Sequence, residues 1–274
     1  MTDPLADPLD PWALGQLNTR QLAKLVSDER SLVVLLPVGS VEPHGPHMGL
    51  ETDTVLSQGA ARRAAKILAE HDVIARIAPA VPYGVTECAA AFTGAISVPA
   101  EVLTGYLRAV IAGFLDTGVD HVCLVNNHLE PAHDRAVRQA AEGFAAGRVS
   151  VACPLTRRWA RTLSAEFKSG ACHAGRYETS MILAEKPELV DDAARRQLPE
   201  VPISLAEKLR AGVNDFAEMG LENAYAGAPA AATADEGEDL LARLAVMVAT
   251  EVREALPQLA GAVPEESAPV ESRS

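Results

Sequence analysis

The 274-residue chain is long enough for one large α/β domain or two small ones, and its 48% hydrophobic and 22% charged residues describe an ordinary globular protein. Thirty-seven acidic against 24 basic residues leave a net charge of −13, which excludes a phosphate-backbone binder with its basic stripe. No apolar run approaches the roughly 20 residues that span a bilayer, and the opening MTDPLADPLDPWAL lacks the basic start and apolar stretch of a secretory signal. SLVVLLPVG, Ser31 to Gly39, reads as a strand buried on both faces. A helix is expected from Thr54 to His71, with Ala60, Ala64, Ile67 and Leu68 on one face, and a second strand from Val73 to Val81. Pro99 to Thr117 is helical by its Leu103, Leu107, Val110, Ile111 and Leu115 spacing. His121 to Asn127 is another buried strand, Pro131 suits the first turn of the helix behind it, and Val149 to Leu155 is a weaker strand. Helices are expected over Glu178 to Ala184 and Glu236 to Ala255. The Pro199 to Ala232 segment is read as loop with a short helix at Leu205 to Arg210. This alternation implies a layered αβα fold with a largely parallel, or mixed, central sheet. One domain over residues 1–258 and a disordered, acidic, Pro/Ser-rich tail over 259–274 are expected. Cys88, Cys123, Cys153 and Cys172 lack zinc-type spacing and read as free thiols in a reducing, cytoplasmic compartment.

Chemistry-bearing residues collect after two strands. Gly39-Ser40-Val41-Glu42-Pro43-His44-Gly45-Pro46-His47 follows the first, with Asp53 beyond it, and Asn126-Asn127-His128-Leu129-Glu130 follows the third. In extended backbone i and i+2 point the same way, so Glu42 with His44, and His128 with Glu130, each form a two-ligand claw. Strand carboxyl ends are where open α/β sheets gather ligands. Two claws and one carboxylate between them would hold two divalent ions, and imidazole with carboxylate suits zinc, manganese or iron better than calcium. By spacing alone the pairs fit solvated loop polarity equally well. A third constellation, Cys172-His173-Ala174-Gly175-Arg176-Tyr177-Glu178-Thr179-Ser180, leads into a helix. His173 and Glu178 form an acid/base pair across that turn, or Glu178 and Thr179 are first-turn residues favoured by the helix dipole.

These residues resemble the creatininase family of metal-dependent amidohydrolases over nearly the whole chain. Pro37 to His47 with Asp53 match its PVGS-x-E-x-HG-x-H opening, Asn126 to His128 its N-x-H, and His173 to Ser180 its HAG-x-x-ETS. Gly227, Pro229, Ala232, Thr233 and Gly237 match a late G-x-P-x-x-AT-x-x-x-G segment. The resemblance implies Glu42 and His128 on one metal, His44 and Glu130 on the other, and Asp53 bridging. The implied cofactors are two divalent ions per chain, Zn2+ or Mn2+ with Fe2+ as a further option. It also implies His173 as the proton donor to the departing nitrogen, Glu178 orienting it, and a homo-oligomer, a hexamer in the family's pattern.

The substrate wall departs from that pattern. Creatinine-hydrolysing members carry an aromatic between the ligands of the second claw and a Trp shortly before the third motif. Here stand Leu129 and Lys168-Ser169-Gly170-Ala171, with Trp159 read as core. Cys88 replaces a common His and is read as a small packed side chain; Thr93 and Ala95 replace Pro and Thr. Thr86, Leu129, Ser169 and Gly170 are therefore the candidate substrate-binding residues. The expected reaction is hydrolysis of a non-peptide C–N bond in a small cyclic amide or formamide other than creatinine, by water activated between two metals. The alternatives are a peptidase acting on a short modified peptide in cofactor maturation, and a non-amide ring-opening hydrolase. No nucleic-acid or membrane partner is expected. His47 is expected to fix a ligand carboxylate, His133 and Asp134 to line the pocket or the surface, and His71 and His121 to be solvated.

Overall fold

In the computed structural model, which describes residues 10–260, seven consecutive buried residues form the first strand, β1 (Leu32–Val38). It pairs in parallel with β2 (Ile74–Ile77) on one side and β3 (His121–Asn126) on the other. The fourth strand, β4 (Val149–Ala152), adds in parallel to β3, giving the order β2-β1-β3-β4. Every strand therefore ends at the same edge. Strand β2 stops well short of the expected Val81, because Pro79 and Pro82 cannot donate to a ladder; only an isolated Val38–Val81 bridge remains.

Alternation along β1 divides the core. Val33 and Leu35 face α2 (Thr52–Ala69), α7 (Arg176–Glu185) and α10 (Ala234–Ala260). Leu32, Val34 and Leu36 face α3 (Ala100–Asp116) and α4 (Pro131–Ala141). The expected α2 face is buried at Ala60, Ala64 and Leu68, and α3 buries Leu103, Leu107 and Ile111. Trp159 is in the core, as read from the sequence, with its indole N–H donating to Glu251 at 2.6 Å. Helix α1 (Thr19–Val26), which the hydrophobic pattern did not reveal, begins with a capping box between Asn18 and Gln21. The short helices α5 (Arg157–Ala160), α6 (Ala165–Ser169) and α8 (Asp192–Arg195) also escaped the sequence reading, while α9 (Leu205–Arg210) falls where it was expected.

A smaller apolar cluster of Cys88, Ala89, Leu205, Phe216, Met219 and Leu221 lies apart from the two main cores. It ties the 213–221 segment to the loop after β2, with Phe216 N–H donating to the Cys88 carbonyl at 2.8 Å. Helix α10 continues through Ala260, past the expected boundary at 258, and the remainder of the expected tail lies outside the described residues.

Candidate active site

The loop after β1 brings Glu42 and His44 to the strand edge, and Gly39 lets that loop meet the start of α2. A side chain at Gly39 would lie 2.6 Å from the Thr54 amide nitrogen. Asp53 stands in the first turn of α2 and Glu178 in the first turn of α7, where the N-terminal dipole favours carboxylates. These side chains and His128 are all buried. His128 Nδ1 lies 2.9 Å from Asp53 Oδ2 and 3.3 Å from Glu42 Oε1. His44 Nε2 lies 3.3 Å from Asp53 Oδ1 and 3.7 Å from both Glu178 Oε2 and Glu42 Oε1. Asp53 thus belongs to two groups that could hold a metal ion, one with Glu42 and His128 and one with His44 and Glu178. A third group joins Glu42, His44 and His173.

The surrounding hydrogen bonds set the tautomers. His128 Nε2 contacts the Val85 carbonyl at 2.7 Å, which places a proton on Nε2 and turns Nδ1 toward the carboxylates. His44 Nδ1 donates likewise to the Glu42 carbonyl at 3.1 Å. Its Nε2 is buried without any hydrogen-bond partner. Burial pushes the His44 imidazole down, but Asp53, Glu178 and Glu42 outweigh it and raise its pKa to about 10. Burial raises Glu178 to about 8, aided by the charges of Asp53 and Glu42 and opposed by His44. Among the described residues no lysine or arginine pairs with Glu42, Asp53 or Glu178. Three converging carboxylates and two imidazole nitrogens, with no lysine or arginine to pair them, fit divalent metal ions, which would take the place of the imidazole protons. Ser40 donates to Asp53 Oδ2 at 2.7 Å, and Thr86 donates to Glu42 Oε2. Thr86 therefore steadies the Glu42 carboxylate and does not line the cavity described below.

Glu130 and Glu178 also differ from expectation. Strand β3 ends at Asn126 and α4 begins at Pro131, so Glu130 is a helix-cap residue outside the strand's alternation. Its two oxygens accept the Glu87 and Cys88 amides, each at 3.1 Å, and it joins none of the three ligand groups. Glu178 takes the place beside His44 and shows no pairing with His173. His173 Nε2 lies 3.0 Å from the Pro43 carbonyl, Nδ1 lies 3.7 Å from Glu42, and burial lowers its pKa to about 4. His47 holds Thr179, the neighbour of Glu178, at 3.0 Å and touches no ligand carboxylate. His133 is fully buried, accepts the Val85 amide on Nδ1 and packs edge-on against His128. His71 is exposed as expected, but His121 is buried at the start of β3. Its ring meets the Gly147 carbonyl at 2.7 Å and Ser150 at 2.8 Å, which replace the water expected there.

A cavity of about 610 Å³ opens onto this centre. Glu42, Asp53, His128, Glu130, His173 and Glu178 line it, and so do Leu129, Ser169 and Gly170. Phe216 was missed. It lies in a segment read as loop, yet it lines the cavity and packs against His173 with ring centroids 4.6 Å apart and the rings tilted by 39°. Cys88 is buried on the wall, and burial with Glu130 nearby pushes its thiol pKa up, so the thiol stays protonated.

The family model described as “Creatininase: Creatinine amidohydrolase” matches residues 15–252. The chain is similar to the “Mycofactocin precursor peptide peptidase” of Mycobacterium tuberculosis, 32% identical over 261 residues covering 89% of this chain and 93% of the relative. It is similar also to the “Creatinine amidohydrolase” of Pseudomonas putida, 27% identical over 199 residues covering 65% of this chain and 73% of the relative. The solved structure “Creatininase Mn” shares the fold, with a TM-score of 0.66 at 22% identity over 90% of this chain and 100% of that one.

Proposed function

Because the chain belongs to the creatininase family of metal-dependent hydrolases, we propose that it holds two divalent ions and hydrolyses an amide bond in a short peptide or peptide-derived substrate. Glu42, Asp53 and His128 would hold one ion and His44, Asp53 and Glu178 the other, with Asp53 shared. Zn2+ and Mn2+ suit this donor set. Bound ions supply Lewis acidity toward a carbonyl and bring water to a reactive state near neutral pH. Glu130, its pKa raised by burial and its carboxylate steadied by two backbone amides, would take a proton from water and return it to the departing nitrogen. His173, neutral at pH 7, presents Nδ1 toward Glu42 and holds the inner wall with Phe216.

The cavity carries the substrate reading. At about 610 Å³ it falls within the range of roughly 300–1,000 Å³ that accommodates drug-sized ligands, well beyond one five-membered ring. Leu129, Leu155, Phe167, Leu205 and Phe216 make much of its wall apolar. The similarity to a named peptide peptidase supports the same reading. A second reading, a small cyclic amide or formamide, is favoured by the aromatic Phe216 and His173 rings that line the cavity together. The test is turnover by Mn2+- or Zn2+-loaded protein of a panel of short peptides, cyclic amides including creatinine, and formamides. Peptides are expected to give the highest kcat/KM; turnover confined to cyclic amides or formamides would install the second reading.

Two exposed apolar side chains one turn apart on α3, Val102 and Tyr106, support a homo-oligomer, with a hexamer as the expected assembly. Four free cysteines suit a reducing cytoplasm. Among the described residues no helix is long and apolar enough to cross a membrane.

A further inference from the structure

We propose that Glu166, on the cavity-wall helix α6, is a positioning residue that sets the occupancy of the ion held by His44, Asp53 and Glu178; this rests on the two-ion reading. Each oxygen of its carboxylate accepts a main-chain amide from a different segment. Oε1 takes Tyr177 N–H at 2.7 Å, at the residue before Glu178, and Oε2 takes Ala228 N–H at 2.8 Å. Two glycines make room for it. A Cβ at Gly175 would come within 2.5 Å of Oε1, and one at Gly227 would collide with Oε2. Gly175 belongs to the third sequence motif and Gly227 opens the late one, so a single carboxylate links two motifs more than 50 residues apart.

The links continue into the centre. Ala226 N–H donates to the His173 carbonyl at 2.8 Å, and Gly45 N–H, beside His44, donates to the Ala224 carbonyl at 2.9 Å. Ala174, between His173 and Gly175, adopts a left-handed φ of 52°, a backbone state that persists only where neighbours over-determine it. Its amide holds Glu178 Oε2 at 2.7 Å. Glu166 also fixes α6, whose Phe167 ring packs on Tyr177 at 4.9 Å and whose Lys168 and Ser169 line the cavity. Glu42, Asp53 and His128 hang from the loop after β1, α2 and the loop after β3, and no hydrogen bond joins Glu166 to them. Loosening Glu166 therefore acts directly on the His44 and Glu178 side, and reaches the Glu42 and His128 side only through the shared Asp53 and the His173 contact with Pro43.

The experiment titrates chelator-stripped parent protein, Glu166→Gln and Glu166→Asp with Mn2+, reading stoichiometry and both affinities by calorimetry. Glu185→Gln serves as control, since Glu185 holds the other end of α7 through Arg62 and Arg63 without touching the centre. Partners that orient ligands are typically worth about 10–100-fold in metal affinity. Both Glu166 variants are expected to keep one affinity and lose about that factor in the other, while Glu185→Gln binds as the parent does. If the parent binds two ions and the Glu166 variants bind both unchanged, weaken both equally, or fail to fold, Glu166 has no selective positioning role. A parent that binds a single ion would overturn the two-ion reading itself.

Discussion

Asp53, Glu130 and Glu178 all stand at helix N-termini, where the dipole stabilises a carboxylate, but their neighbours separate their roles. Glu178 faces the unpartnered nitrogen of His44, whereas Glu130 is turned onto the Glu87 and Cys88 amides. Glu178→Gln is therefore expected to lower metal content from two ions to one. Glu130→Gln should keep both and lose about 10²–10⁴ in turnover, the usual worth of a positioned acid or base. Elemental analysis with rates on the same samples checks both. Loss of an ion by Glu130→Gln would return that residue to the ligand set its spacing suggested. His121 supports a pH prediction remote from the centre. Burial lowers its pKa from 6.5 to about 4, so the folded protein holds it neutral while the unfolded chain takes up a proton below about pH 6.5. Stability is thus fully present above that pH and falls as pH drops toward 4, by about 2 kcal/mol at pH 5 from this residue. His121→Gln should be less stable than the parent at pH 7.5, and the gap in urea-unfolding free energy between the metal-free proteins should narrow toward pH 5. A constant gap would mean that His121 is not held neutral.

Helix α7 carries Glu178, and its placement depends on how closely it can approach α10. At the crossing, a side chain on Gly237 would overlap the Ser180 carbonyl, so glycine alone allows the contact. Ser180 Oγ accepts the Thr233 amide at 3.1 Å, and Arg195 donates to the Pro229, Ala230 and Ala232 carbonyls, pinning the turn before α10. Overpacking a tight core contact costs about 1–3 kcal/mol, and more where backbone must yield. Gly237→Ala is expected to lose at least that amount in urea denaturation and to weaken metal binding through displaced Glu178. A variant within about 0.5 kcal/mol of the parent, the usual scatter for surface changes, would show that the crossing relaxes freely.

Across the whole molecule, candidate metal-binding side chains from the β1 loop, α2, the β3 loop and α7 meet at one edge of a parallel sheet. Without cations, Glu42, Asp53 and Glu178 share a buried space with only imidazoles to balance them. Ions that bind the folded state alone stabilise it by mass action, about 2.7 kcal/mol at a hundredfold excess over Kd. Chelation is therefore expected to lower Tm by several degrees, with recovery on adding Zn2+ or Mn2+, read by thermal unfolding. An unchanged Tm would mean that the centre is folded and paired without metal.

Much of this architecture is local in origin and so was legible in the sequence. Continuous apolar runs marked β1 and β3, 3.6-residue periodicity marked α2 and α3, and the motif loops brought Glu42, His44, Asp53 and His128 to the strand ends. What depends on packing between distant segments was not legible. Two-residue alternation holds only while a chain stays extended, so it failed at Glu130, where a helix begins one residue later. Thr86 and His121 carry no periodic signal, and their partners lie 44 and at least 26 residues away in sequence. Phe216 reaches the cavity because its irregular segment docks on the loop after β2, a contact set by shape and backbone hydrogen bonding and invisible to any spacing rule. Local patterning determined which elements form and which loops carry the chemistry; tertiary packing decided which carboxylate meets which imidazole, because that pairing depends on distances between segments the chain brings together only on folding.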